Sequence, residues 1–261
     1  MHLMFFLVCF GASVIGAICG IGGGIIIKPA LDAFGMISVP AASFLSGCTV
    51  LSMTGYTVVR SRMEGSKNID TRIGTQLAIG AAFGGIIGKV LFDGLLSVLS
   101  DKELAGAIQA ACLLVITAGT LTYTVNRVKI RSYHMAGSVE CLLIGGTLGI
   151  LSSFLGIGGG PVNLVVLYHF FSMSTKIAAE NSLYIILFSQ IMSLVSTLCI
   201  GTVPEIRLDL LLLMVLAGIT GGILGRKINQ RVTASMVDKL FVCLMLVLIG
   251  INIYNLWSFL Y

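Results

Sequence analysis

A glycine cluster occurs twice in this chain, as Gly20-Ile21-Gly22-Gly23-Gly24 and as Gly156-Ile157-Gly158-Gly159-Gly160, each time directly after a long apolar run. The copies stand 136 residues apart in a chain of 261, so one half was built twice and each half is interrupted at the same place. Glycine costs about 1 kcal/mol relative to alanine inside a helix, so three in succession predict an unwound backbone.

Apolar runs fall at about residues 3–19, 24–36, 39–59, 73–99, 104–125, 137–155, 161–173, 177–200, 208–228 and 237–259. Eight of them approach the roughly 20 residues that cross a bilayer. The two that follow the glycines, 24–36 and 161–173, reach only about 20 Å as helices. They are expected to be half-spanning, re-entrant, or the second parts of broken helices. Only 10% of residues are charged, against about 25% in soluble domains, and mean hydropathy is +1.04. The expected fold is all-α: a polytopic helical membrane protein of 8–10 transmembrane segments, one domain over 1–261, with repeats at 1–126 and 135–261. Residues 1–10 contain neither Lys nor Arg and run on without a cleavage site, so they read as the first membrane segment and not as a signal peptide.

The duplication extends past the glycines. Ala42 matches Ala178 and Ser46 matches Ser182 at an offset of 136; Gly84, Gly85, Ile86 and Gly88 match Gly221, Gly222, Ile223 and Gly225 at 137, as do Asp101 and Lys102 with Asp238 and Lys239. Gly119 and Tyr123 match Gly250 and Tyr254 at 131. Three connections are basic: Arg60, Arg62, Lys67 and Arg72; Arg127, Lys129 and Arg131; Arg226, Lys227, Arg231 and Lys239. Basic loops stay in the cytoplasm. All three share one side only if the short segments contribute to additional crossings, which makes five per half and inverts the second half. The expected location is the cytoplasmic (inner) membrane, multi-pass, with both termini outside. Trp257, Tyr254 and Tyr261 read as interfacial anchors.

Unwound backbone at membrane depth must face protein, water or a ligand. A helix starts straight after each cluster, so its first N–H groups and positive dipole end point back at the glycines, an arrangement suited to an anion. The alternative is close helix packing, since Gly20 and Gly24, and Gly156 and Gly160, also fit small-xxx-small spacing.

Gly22-Gly23-Gly24 followed by Pro29, with Gly158-Gly159-Gly160 in a second half, resembles the sulfite exporter TauE/SafE family of bacterial membrane proteins, over essentially the whole chain. The resemblance implies transport of a small sulfur-containing or organic anion such as sulfite or a sulfonate. One departure is that Pro161 follows the second cluster directly and Asn163 comes after it, where the first copy has Ile25 to Lys28 before Pro29. The two half-sites are therefore not chemically equivalent.

Substrate-binding candidates are Gly22, Gly23, Gly24, Lys28, Ser46, Thr49, Gly158, Gly159, Gly160, Asn163, Asn181 and Ser182. Lys28 is a cation near the membrane interior and could hold an anion, snorkel to the interface, or pair with Asp32 four residues on. Asn163 could donate to an oxyanion or join helices. Ser43, Ser46 and Thr49, and in the second half Asn181, Ser182 and Gln190, could line a cavity or pack. Glu180 and His169 are candidates for proton coupling.

Seven cysteines lie scattered through apolar runs with no CxxC pair and no His at metal-ligand spacing, so no metal and no cofactor is expected and a membrane redox protein is disfavoured. The net charge of +5 sits in short loops and argues against nucleic acid as a partner. The expected partners are the lipid bilayer and a small anionic substrate, with a homodimer left open. The activity expected is secondary transport by alternating access, not enzymatic catalysis; the alternative is an anion channel.

Overall fold

The computed structural model describes residues 2–65, 69, 71–99, 102–135, 137–157 and 159–260. Lys67, Asp101, Gly158 and Tyr261 lie outside the described residues. The remainder forms ten α-helices in two sets of five with matched lengths. In the first set are α1 (His2–Cys19), α2 (Gly24–Phe34), α3 (Val39–Met63), α4 (Thr71–Val98) and α5 (Lys102–Asn126). In the second are α6 (Ser138–Phe154), α7 (Pro161–Phe171), α8 (Thr175–Ile200), α9 (Leu208–Arg231) and α10 (Ala234–Leu260). Seven helices are long and apolar enough to cross a membrane, and α6, at 17 residues, falls just short of them. The two helices after the glycines, α2 and α7, have 11 residues each and span about 16 Å.

Each short helix folds back on the one before it. The Phe5 ring, at the start of α1, meets the Phe34 ring, at the end of α2, with centroids 6.2 Å apart. In the second half, Tyr133 and Met135, ahead of α6, donate backbone N–H groups to the carbonyls of His169 and Phe170 at the end of α7. The turn needs left-handed backbone: Gly20 has φ +76° and Gly156 φ +65°, a region that side chains with a Cβ rarely adopt. From there the chain doubles back, so that Gly23 packs on the backbone of Ala12 and α2 starts near the middle of α1.

The halves exchange partners. Helix α1 packs along α9, with Phe10 against Gly221 and Val14 against Gly225; α6 packs along α4, with Leu142 against Gly80, Gly146 against Gly84 and Ile150 against Gly88. These glycines carry no Cβ because a neighbouring carbonyl occupies the space it would fill, and the close approach replaces burial as the source of attraction. Residue numbers rise together along both pairs, so the helices run parallel. Helices α3 and α8 run antiparallel, with Gly47 beside Gln190 and Ser61 bonded to Glu180. So do α5 and α10, with Gly106 against Phe259 and Arg127 beside Asp238.

The three basic connections gather at one end of the bundle. There Arg226 Nη2 lies 2.8 Å from Glu64, Gln230 donates to the same carboxylate, and Arg127 lies 3.8 Å from Asp238 and 4.1 Å above the Tyr168 ring. Glu64 sits just past the end of α3. Its carboxyl is held down at about 2, chiefly by the hydrogen bond from Arg226 and then by that from Arg60. At the opposite end, Thr202 donates to Asp93 at 3.1 Å, and His2 lies 3.4 Å from Asp209. The start of α1 and the end of α10 are on this acidic end.

Candidate functional site

The two glycine breaks meet. A Cβ on Gly24 would fall on the carbonyl of Ile157, and Ile25 lies beside Gly160. The contacts are reciprocal between halves: Gly20 packs on Ala179, and Gly156 packs on Ser43, each residue displaced by 136 from its counterpart. Helices α3 and α8 bracket the junction. On α3 the face carrying Ser43 and Val50 touches Gly156 and Gly24; on α8 the face carrying Ala179 and Ile186 touches Gly20 and Gly159.

Ser46 and Ser182 fall on those two faces, one turn from Ser43 and Ala179. Both are fully buried, and among the described residues neither hydroxyl has a hydrogen-bond partner. The starts of α2 and α7 have no side-chain cap on Gly23 or Gly160. In α7 Pro161 has no N–H and the Asn163 N–H bonds the Gly160 carbonyl, and in α2 Ile26 and Ile27 bond the Gly23 carbonyl. What each start offers the junction is therefore its positive dipole end and the remaining first-turn amides. The carbonyls orphaned where α1 and α6 stop are satisfied by amides from other helices. Asn229 Nδ2 donates to Ile18 and Gln109 Nε2 to Phe154, residues again 136 apart. This is how irregular backbone persists within an apolar bundle.

Of the other sequence candidates among the described residues, Asn163 and Gly22 are at the junction and the rest lie away from it. Lys28 is completely buried, and its ammonium is paired with Asp32 one turn on. Thr49 bonds the Leu45 carbonyl at 2.8 Å and faces Gly218 of α9. Asn163 is buried in the first turn of α7, with its amide turned back toward Gly159. Asn181 donates to Ile177 and lies against Gly74 of α4. Glu180 accepts from Ser61 near the basic end. His169 is near the far end of α7, about 13 Å along the helix from Gly160, among the rings of Tyr123, Tyr133 and Phe170. Gly22, with φ +68°, completes the first turn, and Gly158 is outside the described residues.

Small polar cavities flank the junction on either side. One, of about 30 Å³, opens toward the acidic end and is lined by Ser43, Ser153, Gly156, Gln190, Ser193 and Lys89, among others. The second, of about 20 Å³, lies toward the basic end between Ala17, Thr57, Ala179, Glu180, Asn229 and Arg226. Such volumes admit about one water. Ser43 and Ala179, Ser153 and Ala17, Ser193 and Thr57, and Lys89 and Arg226 are pairs at the repeat offset, so the cavities are the same place in the two halves. Neither Lys89 nor Arg226 was a site candidate from sequence. The signal was there, because each directly follows a glycine already matched between the repeats, Gly88 and Gly225.

Among the described residues no three His, Cys, Asp or Glu side chains gather in a metal-binding group. All seven cysteines are free thiols.

Ten helices among the described residues, seven of them able to span, built around two facing backbone breaks, define a multi-pass helical membrane protein. Residues 5–253 match the family model described as Sulfite exporter TauE/SafE, and the chain belongs to that family. Among curated proteins it is similar to Probable membrane transporter protein YunE of Bacillus subtilis (strain 168), with 25% identity over 260 residues covering 92% of each chain. No solved structure matches it.

Proposed function

We propose that this protein is a secondary transporter that carries a small anion, sulfite or a related sulfur or organic oxyanion, across the cytoplasmic membrane by alternating access. It is a carrier and not an enzyme. The observation that carries this reading is the meeting of Gly24 with Ile157, where two half-length helices begin between two small cavities that face opposite ends. Equivalent helices run in opposite senses, which supports an inverted pair of repeats in the membrane with the basic end in the cytoplasm. The anion would sit at the junction, near the N–H groups of α2 and α7 and the hydroxyls of Ser46 and Ser182. Rocking of one half against the other would open one cavity and close its counterpart. Glu180, which lines the cavity at the basic end, is positioned to exchange a proton during the cycle, whereas His169 could do so only from the end of α7.

Reconstituted protein is tested for sulfite flux in sealed proteoliposomes. Saturation with concentration and counterflow against unlabelled sulfite are expected. Linear, non-exchanging flux would replace the carrier with a channel, and no flux of sulfite, thiosulfate, sulfonates or carboxylates would refute the reading.

A further inference from the structure

We infer that Lys89 and Arg226 are the two anion-binding cations of the transport path, one in each cavity, and that each is held by a carboxylate which the substrate anion displaces. The inference rests on the transport reading above and adds the residues that recognise the substrate's charge.

The repeat separates the cation from its ion pair. Lys89 on α4 and Arg226 on α9 occupy one structural position, and both line a polar cavity next to a glycine break. Their partners are not equivalent. Lys89 Nζ lies 2.7 Å from Asp93, one turn along its own helix, whereas Arg226 Nη2 lies 2.8 Å from Glu64, past the end of α3. The residue equivalent to Asp93 is Gln230, and the one equivalent to Glu64 is Ile200. Had the ion pair been the duplicated feature, both members would recur; only the cation does. A neutral side chain would serve packing at lower cost, because a charge inside the membrane is unfavourable without a partner of opposite charge.

The cavity walls fit an oxyanion. Beside Lys89, the Ser43 and Ser153 hydroxyls are buried and unpartnered among the described residues, and the Gln190 amide reaches only a distant contact with Ser152 at 3.4 Å. Beside Arg226, its own Nε is buried and unpartnered in the same sense, while Nη1 reaches the Thr57 carbonyl only at 3.5 Å. Beside Lys89 these are unpaired polar groups next to a cation, whereas beside Arg226 the free Nε shares its cavity with the Glu180 carboxylate, which Ser61 holds. A tetrahedral or pyramidal oxyanion finds a cation and a free donor in both cavities, provided Glu180 stays with Ser61. The anion enters at one cavity, takes the cation from its carboxylate, passes the junction and is received by the second cation.

The test uses the whole chain in detergent, with sulfite as the titrant in calorimetry and sulfate, thiosulfate and acetate as further probes. Lys89→Gln and Arg226→Gln should weaken sulfite binding about tenfold or more, the loss expected for a charge-assisted contact. Lys89→Arg and Arg226→Lys should keep it within about threefold, since charge is retained. Asp93→Asn and Glu64→Gln should tighten binding; where the carboxylate holds the cation two-thirds of the time, release gives about a threefold gain. A purely structural ion pair would instead make removal of either partner harmful. Arg131→Gln, in the exposed linker, serves as the control and should leave binding unchanged. Weakening by the carboxylate and cation variants alike, no change in either, or an unaltered protein that binds none of the four anions would overturn the inference. Sulfite uptake is measured in parallel. Uptake that survives unaltered in both cation variants overturns this inference alone, whereas intact binding with no uptake by the unaltered protein overturns the transport reading.

Discussion

Gly24→Ala is the smallest change that tests whether the two breaks must touch. Gly24 is the first residue of α2 and has ordinary helical backbone, so a Cβ there strains no dihedral angle and meets only the Ile157 carbonyl and the Val50 side chain. Overpacking against backbone costs about 1–3 kcal/mol, because a carbonyl cannot rotate aside as a side chain can. Helix propensity offsets up to about 1 kcal/mol of this. Gly11→Ala supplies the reference: Gly11 is inside α1 with nothing within 4 Å of its Cβ position, so alanine there should stabilise by about 0.5–1 kcal/mol. The propensity gain is common to both, so the two variants should differ by about the overpacking cost of 1–3 kcal/mol, which at about 2–4 °C per kcal/mol separates their melting temperatures by roughly 2–12 °C. Melting is followed by thiol-reactive fluorescence or light scattering in detergent, and flux in proteoliposomes. Gly11→Ala should transport normally and Gly24→Ala should lose transport while remaining folded. Equal melting temperatures together with normal flux in Gly24→Ala would refute the reasoning, since the halves would then not depend on contact at this point.

Lys28→Met should destabilise the protein by about 3–5 kcal/mol, because it leaves Asp32 buried without its cation, and the double variant Lys28→Met with Asp32→Leu should recover most of that. Normal flux in a recovered double variant would assign Lys28 to structure, and lost flux in a folded one would return it to the substrate path. Glu64 has a folded value of about 2 against an ordinary value of 4.5, so its contribution is complete above about pH 4.5 and disappears as pH falls toward 2. The melting temperatures of the unaltered protein and Glu64→Gln should therefore differ above pH 4.5 and converge below it; a gap that persists undiminished to pH 2 would contradict the role of Arg226 in holding that carboxylate.

Much of the architecture was legible because it depends on period, length and charge. Ten segments, their twofold repetition and the gathering of Arg60, Arg127 and Arg226 at one end all follow from the sequence. The meeting of the glycine breaks was legible as a consequence of the same repetition. Side-chain direction was not. Thr49 carries a hydroxyl on a helix beside the site, yet its register turns it toward α9, and it donates to the Leu45 carbonyl one turn back on its own helix. Lys28 can reach Asp32 in any helix, and only the surrounding burial shows that the pair is closed off from solvent. Arg226 read as one more cytoplasmic charge because it stands at the polar end of an apolar run, and nothing local distinguishes it from Lys227 beside it. One faces the bundle, and its neighbour is exposed. Alignment of the two halves beyond the glycines separates them, since Arg226 falls on Lys89 while Lys227 falls on Val90.

The two cavities share a backbone plan but differ in what must break when they open. At the acidic end, Lys89 and Asp93 belong to one helix and move together, so parting α4 from α3 and α8 leaves their pair intact. At the basic end, Arg226 is on α9 and Glu64 follows α3, so parting those helices breaks the pair unless an anion replaces the carboxylate. Glu64 lies at the rim beside Arg226, where solvent screens the pair and keeps it weak. On the alternating-access proposal, even a weak pair that must break would bias the empty protein toward opening at the acidic end. On the same proposal, an anion arriving at the basic end would remove the bias by taking the place of Glu64 on Arg226. Opening toward the basic side thus depends on substrate more than opening toward the acidic side does, and Glu64→Gln should make the two ends alike. If the protein is the carrier proposed, the unequal partners of one duplicated cation would be enough to give it a preferred resting direction.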